Sequence, residues 1–306
     1  MKTEIILSKE ERRLLIIFAW LSILIISDLP DIIFKYATSI LPGWLFWCKT
    51  IFLFLFMAAC LMLRKLRLLL PYAIVMLVFY IALTASDLVR TSEWWAGLIS
   101  NDAKPSFALL YLRPFIRDAG VTLIVLIALF IIKKKRSEFF LVKGQLDAPV
   151  EPVRWLGIKS GESWNKFGWI FAIIAVLAVT IPTILALKPS AVILMKCLRL
   201  IPAVLIFAAI NAFNEELYFR ATLLSTLPEV IGKTHALLIN VSFFGLAHYL
   251  HGSPPGVTGL LMTGFLAFLL GKSMLETKGL FWPWLIHFLP DVVIFFSYAL
   301  VWIGQL

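Results

Sequence analysis

The stretch NAFNEELYFRATLLSTL, residues 211–227, places two adjacent glutamates and an arginine at the end of a long apolar run. That run covers residues 193–213 and is interrupted by Lys196 and Arg199. A charged side chain near the centre of a bilayer costs about 2.5–3.5 kcal/mol on insertion scales, so ionisable residues there are candidates for function. The rest of the chain is therefore searched for residues that could approach Glu215 and Glu216.

The composition indicates that the apolar run belongs to a membrane protein. Of the 306 residues, 61% are hydrophobic and 15% are charged, whereas soluble domains have about 45–50% apolar and about 25% charged residues. Only helices and closed barrels satisfy their backbone groups inside a bilayer. The apolar runs have the length of membrane helices, so we expect an all-α, polytopic helical bundle in contact with the lipid bilayer.

The net charge of +10 does not require a nucleic-acid partner. The basic residues cluster in short stretches beside apolar runs, for example at 64–67 and 133–136. This placement is typical of cytoplasmic loops in membrane proteins rather than of a phosphate-binding face. We therefore expect no nucleic acid as a partner. We also expect a cytoplasmic N-terminus and a multi-pass protein of the bacterial plasma membrane.

Apolar stretches of about 20 residues predict eight or nine membrane helices. They lie near residues 14–34, 44–63, 66–86, 107–132, 167–187, 191–227, 234–250, 256–273 and 279–302. The first contains Asp28, Pro30 and Asp31 and is expected to be broken or re-entrant. Residues 1–136 then form an N-terminal four-helix membrane portion of unknown role, 137–166 a cytoplasmic linker, and 167–306 a C-terminal membrane bundle.

The first of three charged patterns is Glu215–Glu216–x–x–x–Arg220. On a helix, Glu216 and Arg220 are neighbours one turn apart and are expected to form an ion pair. Glu215 points about 100° away and stays available for chemistry. Taken alone, the Glu216–Arg220 pair also has a purely structural interpretation as a buried ion pair.

The other two patterns are Phe244–x–x–x–His248 and His287–x–x–x–Asp291. Counted from the cytoplasmic helix ends, Glu215 and Asp291 lie about 18 Å deep, His248 about 21 Å and His287 about 13 Å. The patterns therefore share one layer of the membrane. A histidine in a membrane helix can also serve only as a hydrogen-bonding residue between helices. The common depth of the three patterns favours a polar, reactive cavity.

The segments EELYFR, FGLAH and HFLPD resemble the EExxxR, FxxxH and HxxxN/D motifs of the CPBP family of intramembrane proteases. That family includes the type II CAAX prenyl endopeptidases, the Abi proteins and bacteriocin-processing proteins. The resemblance covers roughly the last 120 residues and none of the first four helices. It implies that the bundle 167–306 is catalytic and that the substrate is a peptide or protein precursor.

The resemblance also implies roles for the motif residues. Glu215 would be the general base that activates a water, and His248 would hold and polarise that water. His287 and Asp291 would stabilise the tetrahedral oxyanion. Glu216 and Arg220 would support the helix and the charge of the site, and Phe244 belongs to the same supporting set.

Asp291 departs from the prenyl-protease branch, which has a neutral asparagine at this position. An ionised aspartate would repel an oxyanion, so Asp291 must carry a proton or orient His287 instead. A zinc site of Glu215, His248 and His287 is the alternative mechanism, but the chain has no HExxH pattern. The resemblance implies a glutamate mechanism with no cofactor and no metal.

Two other functions use the same residues. A non-catalytic immunity or scaffold protein could bind a peptide in the cavity. A proton-coupled transporter could use the glutamates and histidines as a relay. The chain has no internal repeat, which disfavours the transporter.

Overall fold

The computed structural model describes residues 7–98, 106–252 and 254–305. Residues 1–6 of the predicted N-terminal portion, and 99–105 of a predicted connection, lie outside this part. The described residues form fourteen α-helices and no β-strand, which confirms the all-α prediction. The helices are α1 Lys9–Ile26, α2 Leu29–Thr38, α3 Trp44–Met62, α4 Leu70–Thr91, α5 Glu93–Leu98, α6 Phe107–Lys133, α7 Trp164–Leu187, α8 Ala191–Cys197, α9 Ile201–Glu215, α10 Thr222–Thr226, α11 Pro228–Ile231, α12 Lys233–His251, α13 Gly256–Thr277 and α14 Phe281–Gly304.

In the described part of the chain, seven helical stretches are long and apolar enough to cross a membrane, or eight if α1 and α2 form one span. This confirms a polytopic bundle, with a count at the lower end of the predicted eight or nine. The predicted span 234–250 accounts for the difference. It is present as α12, which contains the polar residues His235, Asn240 and His248 and is not among the helices apolar enough to count as a span.

The predicted break in the first span is present between α1 and α2. The two helices are bent by 48° relative to each other. Near the break, the Ser27 hydroxyl accepts a hydrogen bond from the backbone N–H of Leu29 at 3.2 Å, and the Tyr80 hydroxyl donates to the backbone carbonyl of Ile26. Because freed backbone groups are costly in a membrane, these side chains stabilise the bend.

The predicted helix 191–227 is one apolar run with three irregularities. A 3₁₀ turn, Leu198–Leu200, separates α8 from α9, and Pro202 occupies the first turn of α9. Proline suits a first turn because it has no N–H to leave unpaired. A π-helix, Glu216–Ala221, then joins α9 to α10. π-turns are rare and occur frequently at functional sites.

The chain divides into two compact units. One comprises Met1–Ala82, Ile124–Leu141 and Tyr218–Lys272. The other comprises Leu83–Leu123, Val142–Leu217 and Ser273–Leu306. We call them the His248 unit and the Glu215 unit. The division predicted from sequence, at residues 136 and 166, stays a prediction.

In the His248 unit, α1 packs against α2, α3, α11 and α12. Two hydrogen bonds tie α12 to the first two helices. The indole Nε1 of Trp20 donates to Nδ1 of His235 at 3.2 Å, and the hydroxyls of Tyr36 and Tyr249 lie 3.0 Å apart. The helix that carries His248 is therefore held near both of its ends.

In the Glu215 unit, α14 packs along α9 and α7. Pro290 lies inside α14, yet the helix is continuous over all of its 24 residues. An aromatic cluster fills the space beside α14, with the rings of Phe115 and Phe207 stacked at 4.9 Å and Phe295 in contact with both. Phe115 comes from α6, so a helix of the predicted N-terminal portion contributes to this core.

The predicted linker packs against the turn between α13 and α14. The backbone N–H of Gln145 donates to the carbonyl of Thr277 at 2.7 Å, and the N–H of Leu280 donates to the carbonyl of Val142 at 2.8 Å. Indole N–H groups add two more hydrogen bonds, from Trp164 to Glu276 at 2.8 Å and from Trp282 to the backbone of Leu146 at 3.0 Å. This part of the linker is therefore ordered by the bundle.

Candidate active site

Glu215 is the last residue of α9, and neighbouring helices hold that end of the helix in place. The indole Nε1 of Trp284 donates to the backbone carbonyl of Ala209 at 3.1 Å. The hydroxyl of Thr122 donates to the side-chain oxygen of Asn214 at 2.6 Å. Both are contacts between helices, from α14 and α6 respectively. Glu215 is thus carried by a helix that is anchored on two sides.

The ring of His287 lies between the two adjacent glutamates. Its Nδ1 is 2.7 Å from Oε1 of Glu216, and its Nε2 is 3.5 Å from Oε2 of Glu215. The two nitrogens of an imidazole point in different directions, so one ring can reach two carboxylates about 100° apart on a helix. Glu216 is completely buried, whereas the side chain of Glu215 is 24% exposed.

Asp291 lies one turn after His287 on α14 and is buried. Its Oδ2 is 3.8 Å from Nε2 of His287 and 3.0 Å from the side-chain nitrogen of Asn211. The same nitrogen of Asn211 is 3.2 Å from Oε1 of Glu215. Glu216 is within hydrogen-bond distance of Nδ1 of His287, whereas Asp291 is too far from Nε2 for a hydrogen bond.

Arg220, Phe244 and His248 belong to the other unit and form a stack there. The guanidinium of Arg220 lies 4.3 Å from the centre of the Phe244 ring. The Phe244 ring lies 4.4 Å from the ring of His248. Arg220 is completely buried, so this cation–π contact is in the range of about 2 kcal/mol. Arg220 thus supports the Phe244 ring, and the Phe244 ring supports His248.

The hydrogen bond of His248 defines which of its nitrogens carries a proton. Nδ1 lies 2.9 Å from the backbone carbonyl of Phe244. A carbonyl oxygen only accepts hydrogen bonds, so Nδ1 is the donor. In the neutral ring, Nε2 then has a free lone pair that can accept a hydrogen bond from water.

The structure brings four of the predicted residues together within the Glu215 unit: Glu215, Glu216, His287 and Asp291. The predicted role of Glu216 as an ion-pair partner of Arg220 stays a prediction. Glu216 does accept a hydrogen bond from His287. Asn211 was not predicted as a site residue. Its position one helical turn before Glu215, within the same quoted stretch, is the signal that could have found it.

The described residues contain no group of three or more His, Cys, Asp or Glu side chains arranged to hold a metal ion. The glutamate mechanism without metal remains a prediction, because the absence of such a group among the described residues does not test the reaction.

Residues 197–293 match the family model described as Type II CAAX prenyl endopeptidase Rce1-like. All three motifs fall within the matched segment, and residues 1–196 lie outside it. No curated protein and no solved structure matches the chain.

The apolar helices and the family match define an integral membrane protein of the protease class. The matched segment is similar to CAAX-type proteases of the CPBP family, which confirms the resemblance of the three motifs. A protease of this family implies a protein or peptide substrate in a membrane context.

Proposed function

We propose that the chain is an intramembrane endopeptidase that hydrolyses a membrane-associated protein or peptide precursor with a water activated by Glu215. The proposal depends on one observation: Glu215 of the first motif lies close to His287 and Asp291 of the third motif. Glu215 is partly exposed and Glu216 is completely buried, so Glu215 is the carboxylate that a water can reach.

In the proposed reaction, Glu215 takes a proton from the water as its oxygen attacks the carbonyl carbon of the peptide bond. The electron pair of the C=O bond moves to oxygen and gives a tetrahedral oxyanion. The C–N bond then breaks, and Glu215 returns the proton to the leaving amine. One water is consumed, and a carboxyl and an amino terminus are formed.

His287 is suited to stabilise the oxyanion. Its Nδ1 donates to Glu216, so in the protonated ring Nε2–H faces the region of Glu215 and Asp291. Without a proton, Nε2 of His287 and the carboxylates of Glu215 and Asp291 would be three neighbouring acceptors with no donor among them. We therefore place one proton on His287 or Asp291. Preorganised donors of this kind supply a large share of catalysis in acyl transfer.

His248 is proposed to hold and polarise the attacking water. Its Nδ1–H is occupied by the carbonyl of Phe244, which leaves Nε2 as an acceptor for a water O–H. The ring is oriented by Phe244, and Phe244 by Arg220.

The test begins with the substrate. Membrane proteomes of cells with the wild-type protein and with Glu215→Ala are compared for precursors that accumulate unprocessed. Purified protein in liposomes is then given two peptides. One spans the cleaved bond, and the other is a prenylated CAAX peptide, as the name of the matched family suggests. We expect Glu215→Ala, Glu215→Gln and His248→Ala to lower the cleavage rate by about 10²–10⁴-fold, as loss of a general base or its partner does.

Glu93→Gln serves as the control, because it removes an exposed carboxylate in α5. It should cleave like the wild type, and all variants should unfold at the wild-type temperature within a few degrees. Full activity of purified Glu215→Ala would overturn the proposal. A phenotype that survives Glu215→Gln would favour a non-catalytic peptide-binding protein. Ion-dependent flux into the liposomes would favour the transporter.

A further inference from the structure

Asn211 forms a bridge between the two helices that carry the carboxylates of the Glu215 unit. Its side-chain nitrogen lies 3.2 Å from Oε1 of Glu215 on the same helix and 3.0 Å from Oδ2 of Asp291 on α14. A primary amide has two N–H groups, so one asparagine can donate to both carboxylates at once. No motif of the chain includes Asn211.

The two carboxylates need such a donor. Both face Nε2 of His287, at 3.5 and 3.8 Å, so they share a small space. Like charges repel strongly where water is scarce. Asp291 is buried, but Glu215 is 24% exposed and has room to turn away. A donor between the carboxylates opposes this rotation.

We propose that Asn211 is a positioning residue that holds Glu215 beside Asp291, and that its amide supplies the N–H donor that an aspartate at position 291 lacks. An asparagine at position 291 would have an N–H of its own to offer Glu215. With Asp291 present, the amide comes from the neighbouring helix instead. The inference rests on the proposed function for its kinetic test, but not for its spectroscopic test.

The kinetic test uses Asn211→Ala and Asn211→Asp with the precursor-derived peptide in liposomes. We expect kcat to fall by about 100-fold in both variants, since a misplaced catalytic group loses rate on this scale. KM should change little, because Asn211 has no assigned contact with substrate. Asn211→Asp has the same shape as the native side chain, so it separates loss of the donor from loss of packing.

The decisive measurement is a double-mutant cycle with Asp291→Asn. In that background, position 291 has its own amide, so Asn211→Ala should lower kcat only about 10-fold beyond Asp291→Asn itself. An equal loss in both backgrounds would show that Asn211 acts only through packing, and would overturn the inference.

The spectroscopic test needs no substrate. Carboxylate stretching bands are recorded by infrared spectroscopy of the purified protein, and Glu215→Gln identifies the band of Glu215. Asn211→Ala should shift that band, because the carboxylate loses a hydrogen bond. Asn214→Ala is the matched control. It removes a buried amide from the same helix, hydrogen-bonded to Thr122.

Asn214→Ala should lower the unfolding temperature and shift the Glu215 band much less than Asn211→Ala does, because Asn214 makes no hydrogen bond to that carboxylate in the described structure. An unchanged band in Asn211→Ala would overturn the inference. If Glu215→Ala kept full cleavage while the band still shifted in Asn211→Ala, the proposed reaction would fail and the positioning contact would stand.

Discussion

His287 has a different carboxylate at each ring nitrogen. The nearer one, Glu216, is completely buried and accepts from Nδ1 at 2.7 Å. A buried charge without its partner is costly, so this contact stabilises the fold as well as the orientation of the ring. In the proposed reaction, Glu216 would therefore act through His287.

Glu216→Gln tests this role. The amide keeps the size of the side chain but removes the charge that Nδ1 faces. We expect the free energy of unfolding to fall by about 1.5–3 kcal/mol, the range for a hydrogen bond to a charged group. Cleavage should also weaken. Thermal unfolding in detergent and peptide cleavage are the measurements.

The control for Glu216 is Glu162→Gln. Glu162 pairs with Lys166 at 3.0 Å on the surface, and exposed pairs of this kind contribute little. If both variants had the same stability as the wild type, the buried contact with His287 would not stabilise the protein.

Phe244 and Phe243 allow a matched comparison of neighbouring rings. Both are buried and both contact the ring of Phe219. Only Phe244 lies against His248. Phe243→Leu should lower stability by up to about 1.5 kcal/mol. Phe244→Leu should lower it by more, because it also removes the cation–π contact with Arg220, and it should lose much more cleavage activity. Equal activity losses would mean that the Phe244 ring does not orient His248.

At the scale of residues, the sequence was sufficient to identify the charged motifs but not all of their contacts. The spacing of His287 and Asp291 predicted one helical face, and both residues lie at the site. Asn211 was not predicted, because its position one helical turn before Glu215 does not reveal that it also contacts Asp291 on α14. The contact between Glu216 and His287 joins residues far apart in the chain, and a helical face alone does not predict it.

Among the elements, the turn between α13 and α14 has the tightest backbone contact with the linker. A Cβ atom on Gly279 would lie 2.4 Å from the backbone of Gly144, closer than any real contact. Because the atoms that it would meet belong to the backbone of the linker, they cannot move aside cheaply. The pair explains how the linker can pack so close to this turn.

Gly279→Ala should therefore displace the linker. We expect a loss of about 1–3 kcal/mol, typical of overpacking, and faster proteolytic nicking between residues 142 and 163. Gly120→Ala is the control, since it lies in α6 with open space around its Cβ position. Wild-type stability and nicking rate in Gly279→Ala would show that the linker does not depend on this contact.

The helices themselves were largely predictable. Apolar length placed most boundaries within a few residues of those observed, and Asp28–Pro30–Asp31 predicted the break between α1 and α2. The π-helix Glu216–Ala221 was not predicted, because one widened turn leaves the apolar pattern almost unchanged. Helical turns in the first part of the connection between the predicted spans 66–86 and 107–132 were also missed: α4 continues to Thr91 and α5 follows.

For the whole molecule, the predicted topology places the N-terminus and residues 137–166 in the cytoplasm and the connection before α6 outside. Trp94 and Trp155 are matched reporters, exposed at 65% and 67%. In a variant without Cys48, Cys60 and Cys197, Trp94→Cys should react with an impermeant thiol reagent from outside, and Trp155→Cys only after the membrane is opened. Labelling of both from the same side would contradict the topology.

Helix α6, from the predicted N-terminal portion, also has a structural role in the Glu215 unit. Residues Leu83–Leu123 belong to it, with Phe115 in its aromatic core and Thr122 bonded to Asn214. This contribution could not be predicted from the motifs, because the family match begins at residue 197. Packing partners from outside the match therefore support the helix of Glu215.

The order of synthesis gives the position of α14 a further meaning. The ribosome makes α9, with Glu215, well before α14, which brings His287 and Asp291. Until α14 has entered the membrane, the proposed general base has neither its histidine nor its second carboxylate. The growing chain would therefore have no assembled site while it is beside other membrane proteins. Proteolytic activity would arise only after α14 is in place.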